Sequence, residues 1–450
     1  MATHRAARSL VQNGGAVVSE TLDLVDASDD VLDAHSPRDA AAGGDDIDWW
    51  GMLTDPEFLS NPYPDLKRIR ELGAVHLDPV SGIYFVTRSR EFSAMAKTPD
   101  MGRDTRFWAD GWNSPQNRQR DPDTYELFKE FQPQMINANA PDHRRTRSVY
   151  DKAFRPGDMT RYLPMMEDEC RKLLDALPEG EPFDFMTALA NPLPHRISLR
   201  LFDVPAEMDE TIAKWIAALS WVGNIVMTPE QKREAASAQR DFKLWVRDHL
   251  AERSADPGNG LIAISLAAAA TGAMNEDETL NNVAMLISGS RTTLTLLGNG
   301  MLTLLRNPAQ FEKLRANRGL MRTAIEEMLR YEPGSSIIPR AAVNDFQCGA
   351  IRIPAGALAI GLVGAINRDP ERFDNPDVFD ISRNPNHHSA FGGGPHICIG
   401  KALARMATQI AFNMLMDRFP KIELAGEPIW WTDRSDQRGL ARLPLRLGRA

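Results

Sequence analysis

The chain has 450 residues, 43% of them hydrophobic, so it can bury a large core. Its 52 Lys and Arg against 61 Asp and Glu give a formal net charge of −9, which argues against nucleic acid as a partner because phosphate binding needs a basic surface. Three cysteines are too few, and odd in number, for a disulfide framework, and they fit a reducing cytoplasmic location: Cys170, Cys348 and Cys398.

The sequence predicts no membrane association. Its longest apolar stretch, 261–270, is shorter than the ~20 residues that cross a bilayer. The N-terminus has no basic flank followed by an apolar block, so no secretory signal is expected. Residues 1–45 are rich in Ala, Gly, Ser and Asp, so we expect a disordered tail there and a single folded domain over 46–450.

In chain order, the first predicted elements are a helix over 65–72, after a proline-rich turn, and a strand over 83–87. Residues 101–135 are polar and contain several prolines and tryptophans, so we expect a long loop there. Farther along, the pattern predicts a helix over 319–331. Short strands are expected over 337–342, 345–353 and 358–363. The predicted fold class is therefore mainly α with small β-sheets.

One long helix is predicted to cross the whole domain. Asn275 and Glu278 form a capping box at its start, and the helical pattern continues to Arg306, just before Asn307 and Pro308. Its length would be on the order of 45 Å. In its middle the run 288–292, Ser-Gly-Ser-Arg-Thr, interrupts an otherwise apolar pattern, and such breaks mark function or strain.

A cysteine follows three consecutive glycines in the segment 391–400, Phe-Gly-Gly-Gly-Pro-His-Ile-Cys-Ile-Gly. A helix with one apolar face begins after Cys398, and its positive end would stabilise a thiolate. No Lys-Ser or Lys-Thr pair follows the glycines, which excludes a phosphate-binding loop. A zinc site is disfavoured because no second cysteine is near and His387 and His388 are adjacent. A buried structural cysteine and a metal-bound thiolate remain.

This segment resembles the cysteine loop of the cytochrome P-450 family, of the soluble bacterial type. The matching residues are Phe391, Gly392, Gly394, His396, Cys398 and Gly400. The resemblance implies a fold in which a long central helix and the cysteine loop sandwich haem b, with Cys398 as the axial iron ligand and Phe391 and Gly392 beside the cofactor. It implies a monooxygenase that uses dioxygen, with two electrons from a ferredoxin-type donor and its reductase, to hydroxylate or otherwise oxidise a mid-sized organic substrate.

Two further motifs resemble those of the same family. Glu327 and Arg330 have the spacing of its Glu-x-x-Arg helix, and Arg383 resembles the third member of that buried structural network. The segment 141–147 resembles the family's helix that reaches a haem propionate. The residues that would hold the two propionates are His143, Arg147, Arg340 and His396. The basic residues expected on the face that receives the electron donor are Arg144, Arg145 and Lys401.

The polar run in the long helix resembles the family's oxygen-activation segment, with one departure. Thr292 would donate a hydrogen bond to dioxygen, and Ser288 lies one turn before it. Arg291 occupies the position at which the family has an acid that helps deliver protons, and a guanidinium does not lose its proton in proteins. Three interpretations of Arg291 stay open: a salt bridge that points away from the site, a clamp for a substrate carboxylate, or peroxide-driven chemistry.

Substrate-facing positions follow from the same resemblance, and their mixture of apolar and hydroxyl groups implies a partly polar molecule. They are Trp108, Trp112, Met285, Ser335, Ser336 and Ile337. The alternatives to a monooxygenase are a peroxygenase driven by peroxide, another non-monooxygenase haem-thiolate enzyme, and a haem-binding sensor without turnover. Thr292 favours oxygen activation, whereas Arg291 weakens that case.

Overall fold

The computed structural model describes residues 47–448. Helices make up most of this part of the chain, and its strands form four small sheets. The mainly α fold with small β-sheets expected from the sequence is confirmed. The predicted tail, 1–45, lies outside the described residues. Within them, no helix combines the length and the apolar composition needed to span a bilayer.

The helices are numbered in chain order. Those before residue 220 are α1 (Trp49–Thr54), α2 (Pro56–Ser60), α3 (Tyr63–Leu72), α4 (Ser89–Lys97), α5 (Pro115–Arg120), α6 (Pro122–Phe131), α7 (Asp142–Asp151), α8 (Pro156–Met159), α9 (Leu163–Asp175), α10 (Pro192–Leu201) and α11 (Asp209–Leu219). Those after it are α12 (Pro229–Arg253), α13 (Leu261–Ala270), α14 (Glu276–Ser288), α15 (Arg291–Arg306), α16 (Pro308–Ala316), α17 (Met321–Tyr331), α18 (Val363–Ile366) and α19 (Lys401–Arg418).

The strands are β1 (Val75–Leu77), β2 (Tyr84–Val86), β3 (Met101–Gly102), β4 (Pro182–Asp184), β5 (Ile337–Ala342), β6 (Phe346–Cys348), β7 (Ile351–Ile353), β8 (Leu358–Leu362), β9 (Lys421–Leu424), β10 (Ile429–Trp430), β11 (Leu440–Arg442) and β12 (Pro444–Gly448). The largest sheet has the order β1-β2-β8-β5-β3, with β2 parallel to β8. The others pair β4-β12-β9, β6-β7 and β10-β11. In the largest sheet Gly102 pairs with Ala341, which brings the end of β3 beside Arg340.

The predicted capping box forms at the start of α14. The backbone N–H of Glu278 donates to Oδ1 of Asn275 over 2.8 Å, and the N–H of Asn275 donates to Oε2 of Glu278 over 2.9 Å. Two of the N–H groups at this helix end thus gain partners from the cap.

The long helix is interrupted, which corrects the prediction of one continuous helix over 275–306. It ends at Ser288 and resumes at Arg291 after a turn at Gly289 and Ser290. The N–H of Thr293 donates over 3.1 Å to the carbonyl of Ser290, three residues back, in place of the usual α-helical bond to the fourth. The polar run singled out in the sequence is where the helix breaks.

Residues 101–135 do not form a long loop, and that prediction was wrong. They contain β3, α5 and α6. Pro115 and Pro122 occupy first helical positions, where a missing N–H costs nothing. Ser114 and Asp121 cap these helices through their side-chain oxygens. The prolines therefore mark helix starts.

The smaller elements follow the sequence pattern more closely. The strand predicted over 337–342 has the same bounds as β5, and the helices predicted over 65–72 and 319–331 are present as α3 and α17 with shifted starts. The single strand predicted over 345–353 is a hairpin of β6 and β7 around Gly349, whose φ of 60° is a left-handed value that suits glycine.

The largest hydrophobic core surrounds α15, in which Leu297, Met301 and Leu304 are fully buried. A second core covers the five-stranded sheet, where the ring of Trp49 stacks on Phe85 at 4.0 Å. Because close-packed interiors resist movement, α15 is a rigid support for the side chains at its N-terminal end.

Candidate active site

A cavity lies between the helix break and the cysteine loop, which comprises residues 391–400. Small and hydroxyl-bearing residues form its helical wall, and the loop forms the opposite wall: Gly289, Ser290, Thr292, Thr293, His396, Cys398 and Gly400. His143 and Arg147, both on α7, also line it. The fold thus brings the oxygen-activation segment, the cysteine and three of the four predicted propionate residues to one space, which we call the haem cavity.

Cys398 lies in the loop just before α19. The helix begins at Lys401 with Gly400 as its N-cap, so the cysteine is two residues ahead of the cap. The N–H of Cys398 donates to the carbonyl of Phe391 over 3.2 Å, which folds the loop back on itself. The side chain lines the haem cavity near the positive end of an 18-residue helix.

Gly394 allows the cysteine loop to pack against α4. Its φ is +70°, and a Cβ at this position would overlap the carbonyl oxygen of Ala96 and lie 2.7 Å from the carbonyl carbon. Phe391 and Gly392 are not among the residues that line the haem cavity. Phe391 packs under the guanidinium of Arg405, 4.6 Å from the ring centre. Neither residue is therefore part of the cavity wall.

The four predicted propionate residues cluster beside the haem cavity, which three of them line. The rings of His143 and His396 are 3.8 Å apart. Arg340 is 2% exposed and donates to the carbonyls of Pro339 and Gly393 over 3.0 and 3.3 Å. Its buried Nε has no hydrogen-bond partner in the described part of the chain.

Arg103 belongs to this cation cluster and was missed in the sequence. It is buried and donates to the carbonyl of Pro339 over 3.1 Å. It follows β3, which pairs with the strand that carries Arg340, so only the sheet pairing reveals it. Burial, together with the positive charges of Arg147, Arg340 and Arg103, lowers the pKa of His143 to about 4. The pKa of His396 is also well below its ordinary value, first through burial.

This arrangement fits haem b. The cluster of cations includes a buried N–H without an acceptor, and such a group calls for an anion. The two propionates of haem b are carboxylates that guanidinium and imidazole groups can bind. The one cysteine that lines the same cavity can supply a thiolate to its iron.

A second cavity adjoins the haem cavity. Gly289 and Thr292 line both of them. Aromatic and aliphatic side chains from α6, α11 and α14 and several polar groups line it, among them Phe131, Gln134, Ile216, Ser288, Arg291 and Asp436. We call it the distal cavity. Ser288 donates to the carbonyl of Met285 over 2.9 Å, so its hydroxyl is tied to its own helix.

Arg291 points into the distal cavity. Burial and the nearby Arg434 lower its pKa to about 9, while Asp436 and Asp433 act in the opposite sense. The ring of Trp431 lies 5.8 Å from the guanidinium carbon. Among residues 47–448 the guanidinium makes no hydrogen bond and no ion pair within 4 Å. The structure thus gives no support to the interpretation in which Arg291 turns away into a salt bridge.

Asp436, from the loop between β10 and β11, is a second charged group at the distal cavity that sequence patterns did not reveal. It is 1% exposed, and its Oδ1 has no hydrogen-bond partner within the described residues. Burial raises its pKa to about 6, although Arg291 and Arg434 pull it down. The N–H of Ser336 donates to its carbonyl over 2.8 Å, which holds the loop in place.

The three residues of the predicted structural network come together behind the cysteine loop. Glu327 and Arg330 are fully buried and joined by two bonds of 2.7 and 2.8 Å. Nε of Arg383 donates to the same carboxylate over 3.1 Å. Asn386, which the motif did not include, adds a further bond over 3.0 Å.

Most of the predicted substrate residues lie outside both cavities. Met285 lines both of them. Trp108 packs in the core of the five-stranded sheet, and Trp112 donates to Thr105 over 2.9 Å in a small aromatic cluster. Ser336 and Ile337 line a separate pocket beside Arg438, whereas Ser335 forms a β-bridge with Gln437. Helices α6 and α11 supply part of the wall of the distal cavity.

The predicted basic face is less basic than expected. Arg145 is ion-paired with Glu278 over 2.6 Å and with Asp142 over 3.0 Å. Lys401 is buried, contrary to the expectation of a surface charge. Of the three residues only Arg144 is exposed.

The chain resembles known proteins along most of its length. Residues 110–446 match the family model of cytochrome P-450. The chain is 31% identical over 392 residues to the biotin biosynthesis cytochrome P-450 of Bacillus subtilis (strain 168), covering 86% of this chain and 97% of that protein.

Two solved structures have the same fold at 30% identity. One is a cytochrome P-450 in complex with acyl carrier protein ligated with hexadec-9Z-enoic acid, with a TM-score of 0.79 over 87% of this chain and 100% of that one. The other is a myxobacterial cytochrome P-450 in complex with myristic acid, with a TM-score of 0.80 over 89% and 99%. The chain belongs to the cytochrome P-450 family and is a haem b oxidoreductase of the monooxygenase type.

Proposed function

We propose that this monooxygenase oxidises a mid-sized organic acid whose carboxylate is held by Arg291 in the distal cavity. The observation that carries the proposal is the partly buried guanidinium, which has no acceptor among the described residues. A buried charge without a partner is costly, so a ligand that supplies one gains affinity. The planar fork of Arg suits a carboxylate, to which it can donate two parallel hydrogen bonds.

An acyl chain suits the rest of the distal cavity. Phe131, Ile216, Leu219, Val222 and Met285 give it apolar walls. The two relatives solved with a myristic acid and with a carrier-bound hexadecenoyl group support this substrate class. Burial of an apolar chain contributes roughly 0.8 kcal/mol for each CH₂ group.

The residues of the haem cavity have separate roles in this proposal. Cys398 would bind the iron of haem b, and His143, Arg147, Arg340 and His396 would hold the propionates, with Arg103 as a further cation. When bound there, haem b supplies the binding and reduction of dioxygen. The hydroxyl of Thr292 faces the cavity and holds a proton beside it.

The electron donor and the location remain parts of the proposal. The proposed donor is a small ferredoxin-type protein with its reductase, although of the three predicted basic residues only Arg144 is exposed. We also keep the cytoplasm as the location and 46–450 as one catalytic domain. Peroxide-driven turnover is the second candidate, because Arg291 replaces the acid of the usual proton path.

A haem absorption titration tests the carboxylate clamp. Fatty acids and their methyl esters are titrated into the wild type, Arg291→Ala and Arg434→Ala. Arg434 is the matched control because it is a nearby, partly buried cation whose guanidinium already donates to the carbonyl of Ser220 over 2.9 Å. We expect the acids to bind about tenfold more tightly than the esters, and only Arg291→Ala to lose that preference. Esters that bind as tightly as acids to the wild type would refute the clamp.

Turnover separates the two candidate reactions. Product from the fatty acid that binds best is measured with dioxygen and a reduced ferredoxin, and separately with hydrogen peroxide. Product with dioxygen supports the monooxygenase, whereas product with peroxide alone supports a peroxygenase.

A further inference from the structure

We infer that Asp436 is the proton-delivering acid of this enzyme and takes over the role that a carboxylate at position 291 cannot fill. The acid comes from the loop between β10 and β11 near the C-terminus, whereas Thr292 is on α15. Both line the distal cavity, and Thr292 lines the haem cavity as well. Asp436 thus borders a space that Thr292 also lines. The inference does not depend on which substrate is bound.

The position of Asp436 is set by contacts on both sides of it. The N–H of Ser336 donates to the carbonyl of Asp436 over 2.8 Å, and the N–H of Arg438 donates to the carbonyl of Gly334 over 2.9 Å. Farther along, Asn299 of α15 donates to the carbonyl of Arg438 over 3.0 Å. The loop is therefore tied to the same helix that carries Thr292.

Among residues 47–448, the hydrogen bonds to the carboxylate of Asp436 come from the backbone of its own loop, at Asp436 and Gln437. Its Oδ1 is buried, yet it has no hydrogen-bond partner among residues 47–448. Native proteins rarely leave such an atom unsatisfied, and the exceptions call for a functional explanation. The charged groups that face it are Arg291, on α15, and Arg434, on its own loop. Neither forms an ion pair with it within 4 Å, so no salt bridge within residues 47–448 fixes its ionised form.

The protonation behaviour of Asp436 suits this role. Burial raises its pKa to about 6, close to the operating pH at which a general acid works best. Arg291 opposes that rise, so an arginine at this position keeps the acid from becoming permanently neutral.

The reaction needs protons from the protein side. A C–H bond of the substrate, dioxygen, two electrons and two protons give a C–OH group and water. The electrons come from the ferredoxin-type donor. One oxygen atom enters the substrate, and the other leaves as water with the two protons. We assign the delivery of these protons to Asp436, which regains its own from solvent after each transfer.

The test compares Asp436→Asn, which keeps the shape and loses the proton, with Asp436→Glu and with Asp433→Asn. Asp433 is a neighbouring carboxylate on the same loop whose side chain is 60% exposed, so its variant is the matched control. The first readout does not involve turnover. Infrared difference spectra of the haem-loaded protein between pH 4 and 8 detect the C=O band of protonated carboxyl groups.

We expect a band that titrates near pH 6 in the wild type and in Asp433→Asn and that is missing in Asp436→Asn. Its presence in Asp436→Asn, or its absence from the wild type, overturns the inference.

The second readout separates proton delivery from a structural effect. With dioxygen and reduced ferredoxin, product formation in Asp436→Asn should fall on the order of 100-fold. With hydrogen peroxide, which brings oxygen already reduced and protonated, it should change little. Asp436→Glu should recover part of the dioxygen-driven rate. Equal losses with both oxidants, or no loss with either, overturn the inference. If no fatty acid is oxidised, the proposed substrate class fails, whereas the infrared titration still decides about Asp436.

Discussion

At the scale of single residues, the buried carboxylate of Glu327 makes the sharpest stability prediction. It lies between Arg330 and Arg383, and neither Glu327 nor Arg330 is exposed to solvent. Glu327→Gln leaves the buried guanidinium of Arg330 without its counter-charge, so we expect a loss of about 3 kcal/mol in the free energy of unfolding. Chemical denaturation of the haem-loaded protein measures it.

The neighbouring Glu326 provides the control for this prediction. It accepts two bonds of 2.7 Å from Arg405, but it is 20% exposed and Arg405 is 30% exposed. We expect Glu326→Gln to cost about 1 kcal/mol, because water screens the pair. Equal losses in the two variants would contradict the account of the network.

Asp436 makes a prediction about pH at the same scale. Its pKa is raised from 3.8 to about 6, so this carboxyl group loses its proton at a lower pH in the unfolded chain than in the folded one. The stabilising contribution of the neutral acid is fully present below pH 4 and is lost as the pH rises to about 6. The loss is about 3 kcal/mol. Asp436→Asn should therefore gain stability relative to the wild type as the pH rises from 4 to 7, and a constant difference would contradict this.

At the scale of elements, the packing of the cysteine loop against α4 depends on Gly394. Gly394→Ala must move the loop, because the added Cβ meets the backbone of Ala96. We expect most of the purified variant to lack haem. Gly82 also has a positive φ, of 71°, but nothing lies within 4 Å of its would-be Cβ. Gly82→Ala should retain haem and lose only about 1 kcal/mol. Equal haem content in the two variants would contradict this role of the loop.

The helices and strands also show which sequence patterns predict structure correctly. The capping box at Asn275 and the β-branched strand over 337–342 are local signals, and both predictions hold. In the sequence, the break after Ser288 shows only as a polar run, because the helical spacing of apolar residues continues on both sides of it. The helices α5 and α6 were hidden because their first-turn prolines were taken as loop residues.

At the scale of the whole molecule, the motif residues could be predicted because each carries a local pattern. Cys398, His143 and Thr292 lie in different parts of the sequence, and the fold brings them to one cavity. Arg103 and Asp436 carry no such pattern. They reach the two cavities through a strand pairing and a C-terminal loop, which are long-range features that periodicity does not encode.

The central claim is that Cys398 binds the iron of haem b, and X-ray absorption at the iron edge tests it most directly because it counts the sulfur atoms bound to the metal. Cys170 and Cys348 are the controls, since both are buried and burial raises the pKa of each thiol to about 12. We predict one sulfur at the iron in the wild type, Cys170→Ser and Cys348→Ser, and none in Cys398→Ser. Sulfur that persists in Cys398→Ser, or that disappears in either control, would contradict the claim.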